Sequence, residues 1–266
     1  MKKFAGFVLL AVVFAAAPTR TLAQTAVADS SGAASVESPS PAASATSDAS
    51  AGPDESFAKA LGGDFRRFFA RDNLRVGLLF GAAALATTRW DGSAAEEFRE
   101  SPSWLFRGGN TAGALWMQGS GALATMAAGT LMHQPQTTAL GSELLRAQLV
   151  SQAFVQSLKI ASERTRPDAS NHWSFPSGHA ASAFATASVL DRRFGWKVGL
   201  PAYALGGYVA ASRLTSSKHY LSDVVVGAAI GVAAGRAATV GVGRLHFDLG
   251  VSPTPGGAAL TFTKKN

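Results

Sequence analysis

The 266-residue chain contains no cysteine. Disulfides, thiolate metal sites and a lipidated N-terminal cysteine are therefore excluded, although the compartment is left open. Charge is sparse, with Asp, Glu, Lys and Arg making up 15% of residues, and no basic run interleaved with aromatics occurs. The chain thus lacks the footprint of a nucleic-acid-binding protein, and no nucleic-acid partner is expected. No carboxylate cluster suited to a metal is visible, so neither a metal nor a cofactor is expected. Internal repeats are missing. Long apolar runs are scarce as well: only 112–132 approaches the ~20 apolar residues that a bilayer span needs.

What is present in quantity is small apolar residues. Hydrophobic side chains reach 47%, and Ala and Gly are abundant, which suggests closely packed helices more than a β-sandwich. At the N-terminus Lys2 and Lys3 precede an apolar run from Phe4 to Ala17, then Thr21-Leu22-Ala23. That order reads as a secretory signal peptide over residues 1–23, since about 14 apolar residues are short for a membrane span. Its removal takes away Lys2, Lys3 and Arg20 and lowers the formal charge from +7 to about +4. Residues 24–56 are Ala, Ser, Pro, Thr and Asp with almost no large apolar side chain, and are expected to form a disordered tether.

A helical domain is expected over 57–243. Its first segment, to Asp72, places Phe57, Leu61, Phe65, Phe68 and Phe69 at helical spacing with arginines between them. Such a segment either packs on the core or lies on a membrane surface. Helices follow over 74–89, 112–132, 139–163, 178–194, 197–213 and 220–240. In 139–163 the stripe Leu144, Ala147, Val150, Phe154, Leu158 and Ala161 should face the core, with Glu143, Arg146 and Lys159 off it. Pro167 disfavours helical geometry at Arg166, so this helix should stop shortly before that pair. Residues 244–266 alternate Leu245, Phe247, Leu249 and later Leu260, Phe262 across a Pro/Gly-rich turn, the signature of a C-terminal β-hairpin.

The chemistry concentrates between Lys159 and Asp223. Lys159, Arg166 and Arg213 supply cations, and the arginine forks match phosphate oxygens. Ser177 and Gly178 stand where a loop enters helix 178–194, so their N–H groups can point at an anion favoured by the helix dipole. His219 and Asp223 are four apart and share a helix face. An aspartate placed there can fix one tautomer of the imidazole and leave its other nitrogen free.

In order, Lys159-x6-Arg166-Pro167, Pro176-Ser177-Gly178-His179 and Ser212-Arg213-x5-His219-x3-Asp223 resemble the three signature motifs of the type 2 phosphatidic acid phosphatase (PAP2) superfamily. That superfamily also takes in bacterial acid phosphatases and vanadium haloperoxidases. The resemblance covers roughly 74–240 and implies an all-α, six-helix bundle. It implies a phosphatase with His219 as nucleophile, a phosphohistidine intermediate and His179 as general acid and base. Lys159, Arg166, Ser177, Gly178 and Arg213 would bind the phosphate. The implied substrate is a phosphorylated lipid, such as phosphatidate or a polyprenyl diphosphate, or a small phosphomonoester. A vanadium haloperoxidase and a non-catalytic phosphate-binding envelope protein are the competing readings.

Location follows from the leader. An exported chain that spanned the membrane six times would place the site on the cytoplasmic side, against the family's habit. A periplasmic domain, with a membrane surface as a further partner, removes that conflict. Against it, Arg66, Arg67, Arg71, Arg75, Arg192, Arg193 and Lys197 all fall opposite the site, as an embedded bundle with its site facing the periplasm would require.

Overall fold

The computed structural model describes residues 53–239, 246–254 and 257–265. The expected signal peptide and residues 24–52 of the expected tether lie outside the described residues. The helices are α1 (Pro53–Phe68), α2 (Arg71–Thr87), α3 (Asp91–Arg99), α4 (Ser103–Ala112), α5 (Leu115–Leu131), α6 (Pro135–Ser162), α7 (Gly178–Phe194), α8 (Trp196–Thr215) and α9 (Leu221–Ala238). A short 3-10 turn, Thr88–Trp90, joins α2 to α3. Strands β1 (His246–Thr254) and β2 (Gly257–Lys265) pair antiparallel, with Leu249 opposite Phe262.

The expected six-helix bundle needs correction. The six long helices appear in the expected order, but α3 and α4 occupy the 90–111 stretch that reads as loop from its glycines and prolines. Tertiary contact overrides that local signal. A Cβ at Gly109 would fall 2.6 Å from the Ser212 Cβ, so the glycine is what lets α4 lie against α8. In the same way α1 begins at Pro53, inside the stretch assigned to the tether.

Helix α9 is the centre of the bundle and is buried along almost its whole length. Of the described helices it is the one long and apolar enough to cross a membrane, though most of it is covered by its neighbours. Its closest neighbour is α7. Gly227, Gly231 and Gly235 recur every four residues, and a Cβ on each would stand 2.4, 2.3 and 2.6 Å from the carbonyl oxygens of Ser177, Ala181 and Ala185. Two backbones therefore touch along three turns, at a separation that no side chain would allow.

α6 departs from its expected face. Leu144, Ala147 and Val150 are buried, but so are Glu143, Arg146 and Lys159, while Leu158 is 37% exposed. Two of these buried charges, Glu143 and Arg146, are compensated. Arg193 Nε donates to Glu143 Oε2 at 2.8 Å, and Arg146 Nη1 donates to Asp64 Oδ2 at 2.5 Å. Arg67 holds the other Asp64 oxygen, and Arg67 and Arg146 also donate to the last carbonyls of α9, those of Ala237 and Ala238. Cations at a helix C-terminus both satisfy its free carbonyls and oppose its dipole. This network ties α1 to the bundle, as does the Phe68 ring stacked on Phe154 with centroids 3.9 Å apart. Phe68 thus packs on the core, as the first of the two readings expects, whereas Phe69 is 58% exposed.

The glycine stripe yields a stability test. Gly231→Ala forces α7 and α9 apart and should cost about 2 kcal/mol, read as a lower denaturation midpoint. Gly119→Ala, at an open position on α5, should instead gain up to about 1 kcal/mol from helix propensity.

Candidate active site

The three motifs meet at one end of the bundle, where α6 and α8 finish and α7 and α9 begin. α6 stops at Ser162, with Glu163 in a left-handed conformation (φ 43°), and the chain then crosses to α7 through residues 163–177. Two backbone bonds lock that crossing. Ser177 N–H donates to the Asp223 carbonyl at 3.0 Å, joining the second motif to the third, and Ser174 N–H donates to the Arg164 carbonyl at 2.9 Å.

Six of the eight expected site residues line one open cavity of about 500 Å3: Lys159, Arg166, Gly178, His179, Arg213 and His219. Ser177 and Asp223 lie behind them, fully buried. Ser177 departs from its expected part, because its N–H is committed to Asp223 and its hydroxyl accepts from Ala180 N–H as the cap of α7. Gly178 is the residue of that pair that faces the cavity. Trp173 also lines it, whereas Phe175 faces a separate apolar groove beside α2, and His172 is tied to Thr165 outside the cavity.

Among the described residues the cations of the cavity have only neutral partners. Lys159 Nζ donates to the Trp173 carbonyl at 2.5 Å, and Arg213 donates to Asn110 Oδ1. Nε of Arg166 and Nε of Arg213 are buried with no hydrogen-bond partner at all. Buried donors without acceptors are costly, and an anion in the cavity supplies acceptors. Crowding shows in the titration of the groups. Burial, with Arg166 and Arg213 beside it, lowers Lys159 to about 8; burial and Arg166 lower Arg213 to about 10. Burial, Arg213 and His219 bring His179 down to about 3.

His219 is held differently from the expectation. Its Nδ1 lies 2.5 Å from the backbone carbonyl of Ser174 and 3.8 Å from Asp223 Oδ2. A carbonyl can only accept, so Nδ1 carries the proton and Nε2 is left with its lone pair. Burial lowers His219 to about 4, with Asp223 opposing and Arg213 and Lys159 reinforcing the fall, so the ring is neutral at neutral pH. Asp223 instead accepts from Ser174 Oγ, Tyr220 N–H and Arg164 Nη1.

Sequence reasoning missed Arg164, Ser174, Asn110 and Asp91. The one local signal was for Arg164, a further cation two residues before Arg166. Asp91 and Asn110 come from α3 and α4, which carry no periodic link to the motifs.

Residues 140–246 match the family model described as the PAP2 superfamily. The chain is similar to that superfamily over this region. Over 87 residues the chain is 38% identical to a Porphyromonas gingivalis protein named lipid A 1-phosphatase, covering 31% of this chain and 19% of that one. Over 99 residues it is 33% identical to a Helicobacter pylori protein named lipid A 4'-phosphatase, covering 33% of this chain and 50% of that one. The chain thus spans about a fifth and a half of the lengths of these PAP2-type relatives. No solved structure gives a significant match.

Electrostatics of the PAP2-type cavity make anion binding pH-dependent. Lys159 is charged below about pH 8 and neutral above it. Affinity for sulfate, whose charge is constant over this range, should hold to about pH 7.5 and then fall by up to about tenfold per pH unit. Calorimetric titration from pH 6 to 9.5 checks this.

Proposed function

We propose that this protein is a phosphatase that removes a phosphate group from a lipid through a covalent phosphohistidine on His219. The observation that carries the reading is the cavity itself: three cations that have no carboxylate partner among the described residues surround a neutral imidazole whose tautomer leaves Nε2 free. In phosphoryl transfer negative charge spreads over the equatorial oxygens, so catalysis consists mostly of positioning and charge stabilisation. Lys159, Arg166 and Arg213 serve that purpose, with the Gly178 N–H at the start of α7.

The lone pair of His219 Nε2 attacks phosphorus, and the P–O bond to the leaving group breaks as the P–N bond forms. His179 gives its proton to the departing oxygen. Water then attacks phosphorus, His179 takes its proton back from that water, and the P–N bond breaks to return His219 and release phosphate. Burial, Arg213 and His219 hold His179 neutral. A bound phosphate offsets the neighbouring cations and restores the proton it needs.

Two features favour a lipid over a small soluble ester. Leu115 and Trp173, the latter 47% exposed, put apolar surface at the rim of a cationic cavity. Exposed leucines also run along α2 (Leu74, Leu78, Leu79, Leu85) and α5 (Leu115, Leu123, Leu131). Patches of that kind suit a membrane surface. The two relatives named as lipid A phosphatases support a phosphorylated glycolipid as the first substrate to try. An exported chain would meet it on the periplasmic side of the envelope.

Phosphate release by the purified full chain in detergent tests the reading, with lipid A and para-nitrophenyl phosphate side by side. His219→Ala should lower release from lipid A by at least about 10³-fold. Wild-type kcat/KM should fall below about pH 4, as His219 takes a proton. A wild type no faster than His219→Ala on either compound would reject phosphatase activity. A preference for the soluble ester would reject the lipid.

A further inference from the structure

Arg164 lies at this end of the bundle but does not line the cavity. It is instead paired on both of its terminal nitrogens. Nη1 donates to Asp223 Oδ1 at 2.7 Å and to Ser222 Oγ at 2.8 Å, and Nη2 donates to Asp91 Oδ2 at 2.8 Å. Its guanidinium carbon lies 4.2 Å from the centre of the Tyr220 ring. Asp91 in turn accepts from the N–H and hydroxyl of Ser222, at 2.9 and 2.7 Å. Arg164 and Asp91 therefore bond each other and together hold Ser222 in the first turn of α9, one residue before Asp223.

Ser174 completes the link to His219. Its N–H is held by the Arg164 carbonyl, its hydroxyl by Asp223 Oδ2 at 2.5 Å, and its carbonyl holds His219 Nδ1. With Oδ1 taken by Arg164 and Oδ2 by Ser174 and Tyr220 N–H, Asp223 stays 3.8 Å from the imidazole. We propose that Arg164, anchored by Asp91, is a positioning residue that restrains Asp223 and so keeps His219 an uncharged, Nδ1-protonated ring held by the Ser174 carbonyl. The inference rests on the phosphatase reading for its consequence in turnover, but not for its effect on the ring.

The charged groups facing His219 come from every packed element. They are Lys159 from α6, His179 from α7, Arg213 from α8 and Asp223 from α9, with Arg166 and Arg164 from the crossing segment. Asp223 is the anion among them, and Arg164 is the cation hydrogen-bonded to it. With Arg164 neutralised, Asp223 keeps its charge without its guanidinium partner. It then turns to the next proton donor, His219 Nδ1, and favours the imidazolium. A charged His219 has no lone pair to give, so the window of activity closes at a higher pH.

The test is a ¹³C-histidine NMR titration of His219 in the full chain, in wild type, Arg164→Gln and Arg164→Lys, assigned through His219→Ala. Arg164→Gln should raise the His219 midpoint by about one pH unit or more. Arg164→Lys, which keeps the charge, should return it most of the way to wild type. On lipid A, Arg164→Gln should lose activity on the acid side, by about fivefold at pH 4, with little loss at pH 7. KM should stay near wild type because Arg164 does not touch the cavity, and the acid limb of kcat/KM should move up by the same interval as the midpoint. Asp91→Asn, which keeps the shape of the anchor, should shift both in the same direction by less. A His219 midpoint unchanged in Arg164→Gln, in a protein that still melts cooperatively, would overturn the proposal. Equal midpoints in the Gln and Lys variants would overturn it too. The midpoint is read without turnover, so an inactive wild type would count against the phosphatase reading alone.

Discussion

The backbone contact between α7 and α9 is the constraint on which the rest depends. Three glycines let the two helices approach until α9 meets the carbonyls of α7, and this fixes the relative height of their first turns. The Ser177 N–H to Asp223 carbonyl bond is a consequence of that height. So is the meeting of His179, on the first turn of α7, with His219 just ahead of α9, both on one cavity. Close-packed interiors transmit displacement rather than absorb it. A Cβ between these helices would therefore be felt at the site two turns away, and not only as lost stability.

Much of the site was legible from the sequence because its residues sit at local, fixed spacings: Lys159 and Arg166 across a helix end, Gly178 and His179 at a helix start, His219 and Asp223 around the next one. What could not be read was which neighbour each group would bond. His219 and Asp223 are four apart, which made a direct bond the natural expectation, yet His219 precedes α9 and its Nδ1 turns to a carbonyl 45 residues away. Ser177 looked like an anion ligand, but its N–H points into the α7–α9 seam.

The helix order was legible for a similar reason, since 3.6-residue periodicity belongs to each helix alone. The burial of α6 was not. Periodicity assigns Glu143, Arg146 and Lys159 to solvent because an unpaired charge cannot be buried cheaply. Here Arg193 and Asp64 arrive from α7 and α1 to pair the first two, and no window along α6 contains those partners. α3 and α4 escaped notice because what holds them, Asp91 against Ser222 and Gly109 against Ser212, spans more than a hundred residues of chain.

The two ends of the bundle handle buried charge in opposite ways, and the contrast separates scaffold from site. At the far end Arg67, Arg146 and Arg193 each reach a carboxylate, Asp64 or Glu143, which offsets the cost of removing both charges from water. At the site end Arg164 is treated likewise, between Asp91 and Asp223. Lys159, Arg166 and Arg213 are not: among the described residues none of the three forms an ion pair, and each lowers the affinity of another for its proton or feels such a neighbour. A fold selected for stability alone would gain by placing a carboxylate among them. Leaving them crowded keeps the cavity electropositive, so an entering phosphate finds its charge already complemented by groups that need not reorganise. Arg164 belongs with the paired cations by its partners and with the catalytic end by its place. Its pairing keeps Asp223 from neutralising that field or charging His219.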